Sequence, residues 1–267
     1  MLSSRTMLYA QIIKLFNHDT AFNLMKSYIR FTGRFRFLRG IHRLSHLRNR
    51  STLPSEVFNI SFGNPIGIGP GLDPNGQLYN TLSDYGYSFA EIGPVGPGNV
   101  MEVINNLRNN PPDPIIAILV SKDHARTFSL AYDFADMFVI EAPDNDIMDI
   151  MEDVLDTRLS YETYKPVLVR IMHDFPESQL REILGYCQLN GVDGAVVAKP
   201  SNVRKVVEIT GGRFPVIGYG GIRTPESAKE MLDAGASLME ITTGLVLDGP
   251  DLITKLLDGL RQTETRP

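Results

Sequence analysis

From residue 65 to the C-terminus, apolar residues fall in short runs, and each run is followed by a stretch of helical period. The runs lie at 65–68, 88–92, 115–120, 137–142, 166–172, 194–198, 215–218 and 237–242. They are rich in Val, Ile and Leu without strict polar alternation, which is the pattern of strands covered on both faces. Helical stretches are predicted at 76–85, 101–109, 125–135, 147–159, 177–190, 202–210, 225–234 and 252–260. Eight strand–helix units predict an α/β fold, the (β/α)8 TIM barrel. A doubly wound sheet is the alternative, and eight units favour closure. Residues 56–62 alternate loosely and end in Gly63-Asn64, which predicts a small hairpin before the barrel.

The first fifty residues have a different pattern. Residues 7–16 read as a short apolar helix. Asp19 is placed to cap a second helix at 20–31, with Ala21, Phe22, Met25, Tyr28 and Ile29 on one side and Gly33 as its stop. A third helix near 36–47 sets Phe37, Ile41 and Leu44 on one face and arginines elsewhere. The division this predicts is a basic amphipathic helical extension at 1–52 and a barrel at 53–267.

Charge sharpens that division. The net charge of −5 conceals ten Lys and Arg against one acid in residues 1–50, and 16 bases against 30 acids in the remainder. A basic front on an acidic body predicts an anionic surface as partner, and interleaved apolar residues favour membrane lipid over nucleic acid. A cap of helices packed on the barrel with solvated arginines is the other reading, and the two are compatible. No run of 18 apolar residues and no secretory leader is visible. The expected location is therefore cytoplasmic, peripheral on the inner face of the membrane. The lone Cys187 excludes an intramolecular disulfide and a cysteine-based zinc site, and no metal is expected.

Candidate chemistry lies where the strands run out into their following loops. After the seventh strand come Gly218, Gly220 and Gly221, then Thr224-Pro225-Glu226, which reads as a helix start. After the eighth comes Thr243-Gly244. Both ends offer bare backbone N–H groups, and Thr243 adds a hydroxyl, which together suit a phosphate; the plainer reading is that the glycines make tight turns. Other strand ends offer Lys122, His124, Glu141, Asp144, His173 and Lys199 for acid–base work, none in a spaced motif. Asp73 is placed to cap the helix that starts near Gly76. Arg170 sits inside an apolar strand, so a buried anion or carboxylate partner is expected.

These residues resemble a family. Asn64-Pro-Ile-Gly-Ile-Gly-Pro-Gly-Leu-Asp73, Phe89-Ala-Glu-Ile-Gly93 and the stretch 215–249 are similar to class 2 dihydroorotate dehydrogenases, the quinone-linked, membrane-associated class. The helical front, with Leu8-Tyr9, Leu15-Phe16, Asp19, Ala21-Phe22 and Gly33, resembles that class's membrane-associating extension. The resemblance implies an FMN-binding barrel that oxidises dihydroorotate to orotate, in pyrimidine biosynthesis, and passes electrons to a quinone. It places Gly220, Gly221, Thr243 and Gly244 at the FMN phosphate, Gly71 against the flavin, and Arg170 where the family has a lysine beside the flavin's N1–C2=O edge.

The remainder of the family pattern is eroded. Pro74 replaces a lysine that contacts flavin and substrate, and the Asn-Arg-Met-Gly-Phe-Asn substrate loop has no counterpart between Gly98 and Pro111. Leu119 replaces an asparagine. Glu141-Ala-Pro-Asp-Asn-Asp146 stands for the element that carries the serine base, with Asp144 at the serine. Ionised Glu141, Asp144 and Asp146 cannot donate hydrogen bonds and would repel an orotate carboxylate. The sequence therefore predicts a shortened, divergent member. It would keep an FMN or phosphate site but have lost dihydroorotate oxidation, acting as a binding, regulatory or partner protein. The alternative is an active FMN-dependent oxidoreductase, acting on dihydroorotate or on another substrate.

Overall fold

The structure, a computed structural model, describes residues 13, 16–46, 49, 52–172 and 174–264. The helix expected at 7–16 lies outside these residues, apart from Ile13 and Phe16. Two helices come first, α1 (His18–Arg34) and α2 (Arg36–Ser45). An antiparallel hairpin follows, β1 (Ser55–Val57) with β2 (Ile60–Phe62).

Eight parallel strands then close a barrel. They are β3 (Ile66–Ile68), β4 (Phe89–Val95), β5 (Ile115–Val120), β6 (Met137–Ile140), β7 (Val167–Ile171), β8 (Gly194–Ala198), β9 (Val216–Tyr219) and β10 (Leu238–Ile241), with β10 pairing back onto β3. The helices are α3 (Tyr79–Asp84), α4 (Val100–Asn109), α5 (His124–Ala131), α6 (Ile147–Arg158), α7 (Glu177–Leu189), α8 (Pro200–Thr210), α9 (Pro225–Asp233), α10 (Thr243–Asp248) and α11 (Leu252–Glu264). The (β/α)8 barrel is the fold the apolar pattern predicts.

Two apolar regions hold it together. Residues facing outward from the strands pack under the helices. Inside, Phe89, Leu119, Met137, Val139, Leu168, Val196, Ile217 and Leu238 fill the barrel, joined by Val57 and Phe62 of the hairpin. The hairpin thus plugs the end from which the strands start. Its turn holds Phe58 and Asn59 at φ of 57° and 59°, the pair of positive values that a two-residue hairpin needs to match strand twist.

Local signals at the helix ends fare unevenly. Thr224 and Ser227 form a reciprocal capping box at the start of α9, with Pro225 in its first turn. Asp73 accepts from the N–H groups of Gln77, Leu78 and Tyr79 at 2.7–2.9 Å, capping the turn into α3 as expected. The cap of α1, however, is Asn17, whose Oδ1 accepts from Thr20 N at 2.9 Å; Asp19 sits in the first turn instead. Nor does Gly33 stop the helix, which runs through it to Arg34. A Cβ at Gly33 would lie 2.3 Å from Thr81 Oγ1, so this glycine is needed for the approach of α1 to α3.

That contact gives a sign test. In an unconstrained helix Gly→Ala stabilises by about 1 kcal/mol. Here Gly33→Ala is expected to destabilise by about 1–3 kcal/mol through overpacking, and Thr81→Ala is expected to relieve most of it. Chemical denaturation of the single and double variants decides this; a stabilised Gly33→Ala protein would show that the approach is looser.

Candidate functional site

A cavity of about 580 Å3 opens where β7, β9 and β10 run out, lined by Arg170, Tyr219, Glu240, Thr243 and Gly244 among others, with Phe22 of α1 and Pro70 at its side. That volume lies within the range of small-molecule sites.

At one end are the two glycine-rich turns. Gly220 and Gly221 take φ of 90° and 77°, a region that costs other residues about 1–2 kcal/mol. The backbone N–H groups of Gly220, Gly221, Thr243 and Gly244 find no acceptor among the described residues. Around Gly221 and Gly71 a Cβ would meet nothing within 4 Å, whereas at Gly244 it would press against Ile222 O at 2.8 Å. The open N–H groups suit a phosphate at Gly220 and Gly221, while Gly244 is also needed for packing.

The other end is charged and buried. Inward positions of three strands bring Glu91 (β4), Arg170 (β7) and Glu240 (β10) together at 0%, 5% and 3% exposure. Arg170 Nη2 donates to Glu91 Oε1 and, at 3.3 Å, to Glu240 Oε2. The guanidinium carbon also lies 5.0 Å from the centre of the Tyr219 ring. Burial lowers the Arg170 pKa, but Glu91 and Glu240 outweigh it and the net direction is upward. Glu91 is raised well above the carboxylate range, first by burial and then by Glu240, against the opposing pull of Arg170. With a proton on Glu91 the cluster balances one cation against one anion. Its positive charge is spent inside the barrel. Arg170 Nε, Glu91 Oε2 and Glu240 Oε1 make no hydrogen bond with a described residue.

The carboxylate partner expected for Arg170 is therefore present, twice. Glu91 and Glu240 were not singled out from the sequence, though each is a lone acid in an apolar strand, as Arg170 is a lone base. Other candidates lie elsewhere. Asp144 and Asp146 are exposed on the loop after β6, outside the cavity lining. The backbone carbonyl of Glu141 bonds His124 Nε2 at 2.7 Å. Lys199 pairs with exposed Asp174 at 3.3 Å, and Lys122 is exposed. His173 lies outside the described residues. Among the described residues, no group of three metal-ligating side chains occurs.

Comparison with known proteins points one way. The family model described as "Dihydroorotate dehydrogenase" matches residues 136–263. A protein of Christiangramia forsetii named dihydroorotate dehydrogenase (quinone) is 26% identical over 315 aligned positions, covering 88% of this chain and 91% of the relative. That spreads about 235 residues of this chain over 315 positions, so the relative carries stretches this chain lacks. A Thermosynechococcus vestitus protein of the same name is 28% identical, covering 78% and 80%. Among solved structures, a ligand-free dihydroorotate dehydrogenase from Eimeria tenella superposes with a TM-score of 0.75 at 16% identity, covering 82% of this chain and 89% of that one. Its ferulenol complex gives 0.73 at 17%, covering 81% and 85%. At these identities, the structures establish the fold.

The charge cluster sets two expectations. Glu91 has a folded value above its ordinary 4.5. Its contribution to stability is therefore complete below that pH and declines as pH rises toward the folded value. Glu91→Gln, which mimics the protonated acid, should remove this slope, so its advantage over wild type should grow as pH rises above the ordinary 4.5. Parallel melting profiles would show that Glu91 is ionised when folded. Arg170→Met should destabilise by about 3–5 kcal/mol at neutral pH, since it leaves buried carboxyls unpaired.

Proposed function

We propose that the chain is a divergent member of the dihydroorotate dehydrogenase family, which its family-model match and its relatives support, and that it binds a phosphate-bearing ligand and has lost dihydroorotate oxidation. The observation carrying this is the state of Arg170. The resemblance sets a cation beside the flavin edge, where charge develops on reduction. Here two carboxyls hold that cation within the barrel.

FMN is the ligand that the family implies, and the fit divides by end. The phosphate end suits it: the N–H groups of Gly220, Gly221, Thr243 and Gly244 would hold the phosphate, and the open space at Gly71 would admit a ring. FMN bound there would supply a two-electron acceptor. The ring end does not suit that chemistry, because Glu240 lines the cavity there and Arg170, the cation beside it, is already paired with Glu240 and Glu91. Nor do Lys122 and Lys199 line the cavity to compensate. With Pro74 and Asp144 in place of the lysine and serine, the groups that would bind and deprotonate dihydroorotate are missing as well.

The helical front supports peripheral association with an anionic membrane on its inner, cytoplasmic face. Among the described residues no helix is long and apolar enough to cross a membrane. Phe37 and Leu44 of α2 are 77% and 75% exposed, and Leu24, Tyr28, Phe31, Phe35 and Ile41 are exposed beside them. Such a patch is costly to leave in water. Not all the basic charge is free for lipid, since Arg39 and Arg43 pair with Asp84 and Asp113 of the body at 2.5 and 2.9 Å. The relatives' printed name makes a quinone the small-molecule partner to test at this front, and a protein partner is the alternative for a member without turnover.

Three measurements test the proposal. Protein reconstituted with FMN and given dihydroorotate and a soluble quinone should turn over no faster than a flavin-only control; robust orotate formation sinks the reading, and Asp144→Asn would then show whether that carboxylate had become the base. Gly221→Asp sets a carboxylate against the phosphate in a position with space for its Cβ, at about 1–2 kcal/mol of backbone strain, and should empty the site of ligand while the fold survives. Phe37→Asp with Leu44→Asp should release the protein from anionic vesicles, by about tenfold or more per residue; unchanged sedimentation would make the helices a packing cap only.

A further inference from the structure

A second cavity, of about 330 Å3, lies between α1, α2 and α3. Its lining includes Arg30, Arg34 and Arg39 with Gln77, Asn80 and Tyr79, and it contains no acid. Three guanidiniums around one cavity are unusual in a chain of net charge −5.

Their commitments differ. Arg39 is the most committed: its Nε bonds Asp84 at 2.5 Å, and its Nη2 donates to Asn80 O at 3.4 Å and lies 3.9 Å from Asp113. Arg30 Nη2 donates to Gln77 Oε1 at 3.0 Å, and the Gln77 amide is turned to Glu102 Oε1 at 3.0 Å. The Tyr79 hydroxyl and the Asn80 amide donate to the backbone carbonyls of Asn110 and Pro111. Arg34 is exposed and has no ion-pair partner among the described residues. The cavity therefore offers the guanidinium of Arg34, the remaining N–H groups of Arg30, the partly neutralised charge of Arg39, and no acid in its lining.

We propose that this cavity binds a phosphate group, supplied by the headgroup of an anionic phospholipid. Guanidinium forks match phosphate oxygens two at a time, and a tetrahedral anion can engage donors arriving from three helices where a flat carboxylate would satisfy fewer. The lipid source follows from the neighbours. The same two helices expose Phe31, Phe35, Phe37, Ile41 and Leu44, and Phe31 and Phe35 pack at 5.2 Å across the α1–α2 junction. A lipid held by its phosphate would have apolar surface nearby for its chains. The lipid source rests on the membrane reading above; the phosphate site does not.

The experiment separates the two. Arg34→Gln is compared with Arg36→Gln, an exposed arginine of α2 outside the cavity. Loss of one surface charge should weaken binding to phosphatidylglycerol vesicles about fivefold at either position. Arg34→Gln should weaken it by about thirtyfold or more, because hydrogen bonds to the phosphate go too. In a second arm, inorganic phosphate should raise the melting temperature of wild type and of Arg36→Gln, but not of an Arg30→Gln, Arg34→Gln double variant, against sodium chloride of equal ionic strength. Equal losses in both single variants, with the phosphate shift intact, overturn the lipid assignment and leave a site for a soluble phosphate ester. Absence of any phosphate shift in wild type, together with equal losses, overturns the site.

Discussion

A closed barrel has a single interior, and every second side chain of every strand must find a place in it. That constraint governs the rest of this molecule. At the lower end it is met by size: a Cβ at Gly67 would lie 2.4 Å from the Phe89 ring, so a glycine on one strand makes room for an aromatic on the next. The hairpin then closes the end with Val57 and Phe62. At the upper end the constraint meets charge. Arg170 points inward because Leu168 does, two residues earlier on the same strand. Its guanidinium can be kept there only with partners, and Glu91 and Glu240 reach it by the same alternation from β4 and β10.

The consequence for function runs through electrostatics. A cation beside a flavin edge assists chemistry only if its field reaches the ligand. Glu240 within bonding distance cancels much of that field, Glu91 accepts from the same guanidinium nitrogen, and Tyr219 covers one face of the guanidinium. The barrel is that of the solved structures it superposes on, and the floor of its cavity carries this paired charge cluster. The glycine-rich turns after β9 and β10 are independent of this charge, because they present backbone N–H groups, which depend on φ and ψ and not on the charge of any side chain.

The helical front joins two demands. α1 buries Ala21, Met25 and Ile29 against the barrel and sets Phe22 at the rim of the main cavity. It cannot be a detached anchor, because the same helix packs on the barrel and walls the site. α2 has no buried residue and is held by its arginines on Asp84 and Asp113. Its apolar face is thereby left to the solvent side.

The sequence by itself determined the fold. Apolar runs with helical intervals repeat eight times, and capping residues such as Thr224 and Asp73 are local signals that tertiary contacts did not need to override. It also implied that Arg170 had a buried partner, because an isolated charge in an apolar strand is too costly to leave unpaired. Only the tertiary structure decided which partner. Glu91 and Glu240 lie 79 and 70 residues from Arg170 in the chain, and no local pattern records that three strands place them at one level of a closed barrel. The same holds for Gly33, whose local meaning is a helix stop but whose actual role is set by Thr81 on another helix. It holds also for the acids after β6, which share a barrel mouth by sequence position yet stand outside the cavity, whose lining comes from β7, β9, β10 and the segments that follow them, with Pro70 after β3 and Phe22 of α1.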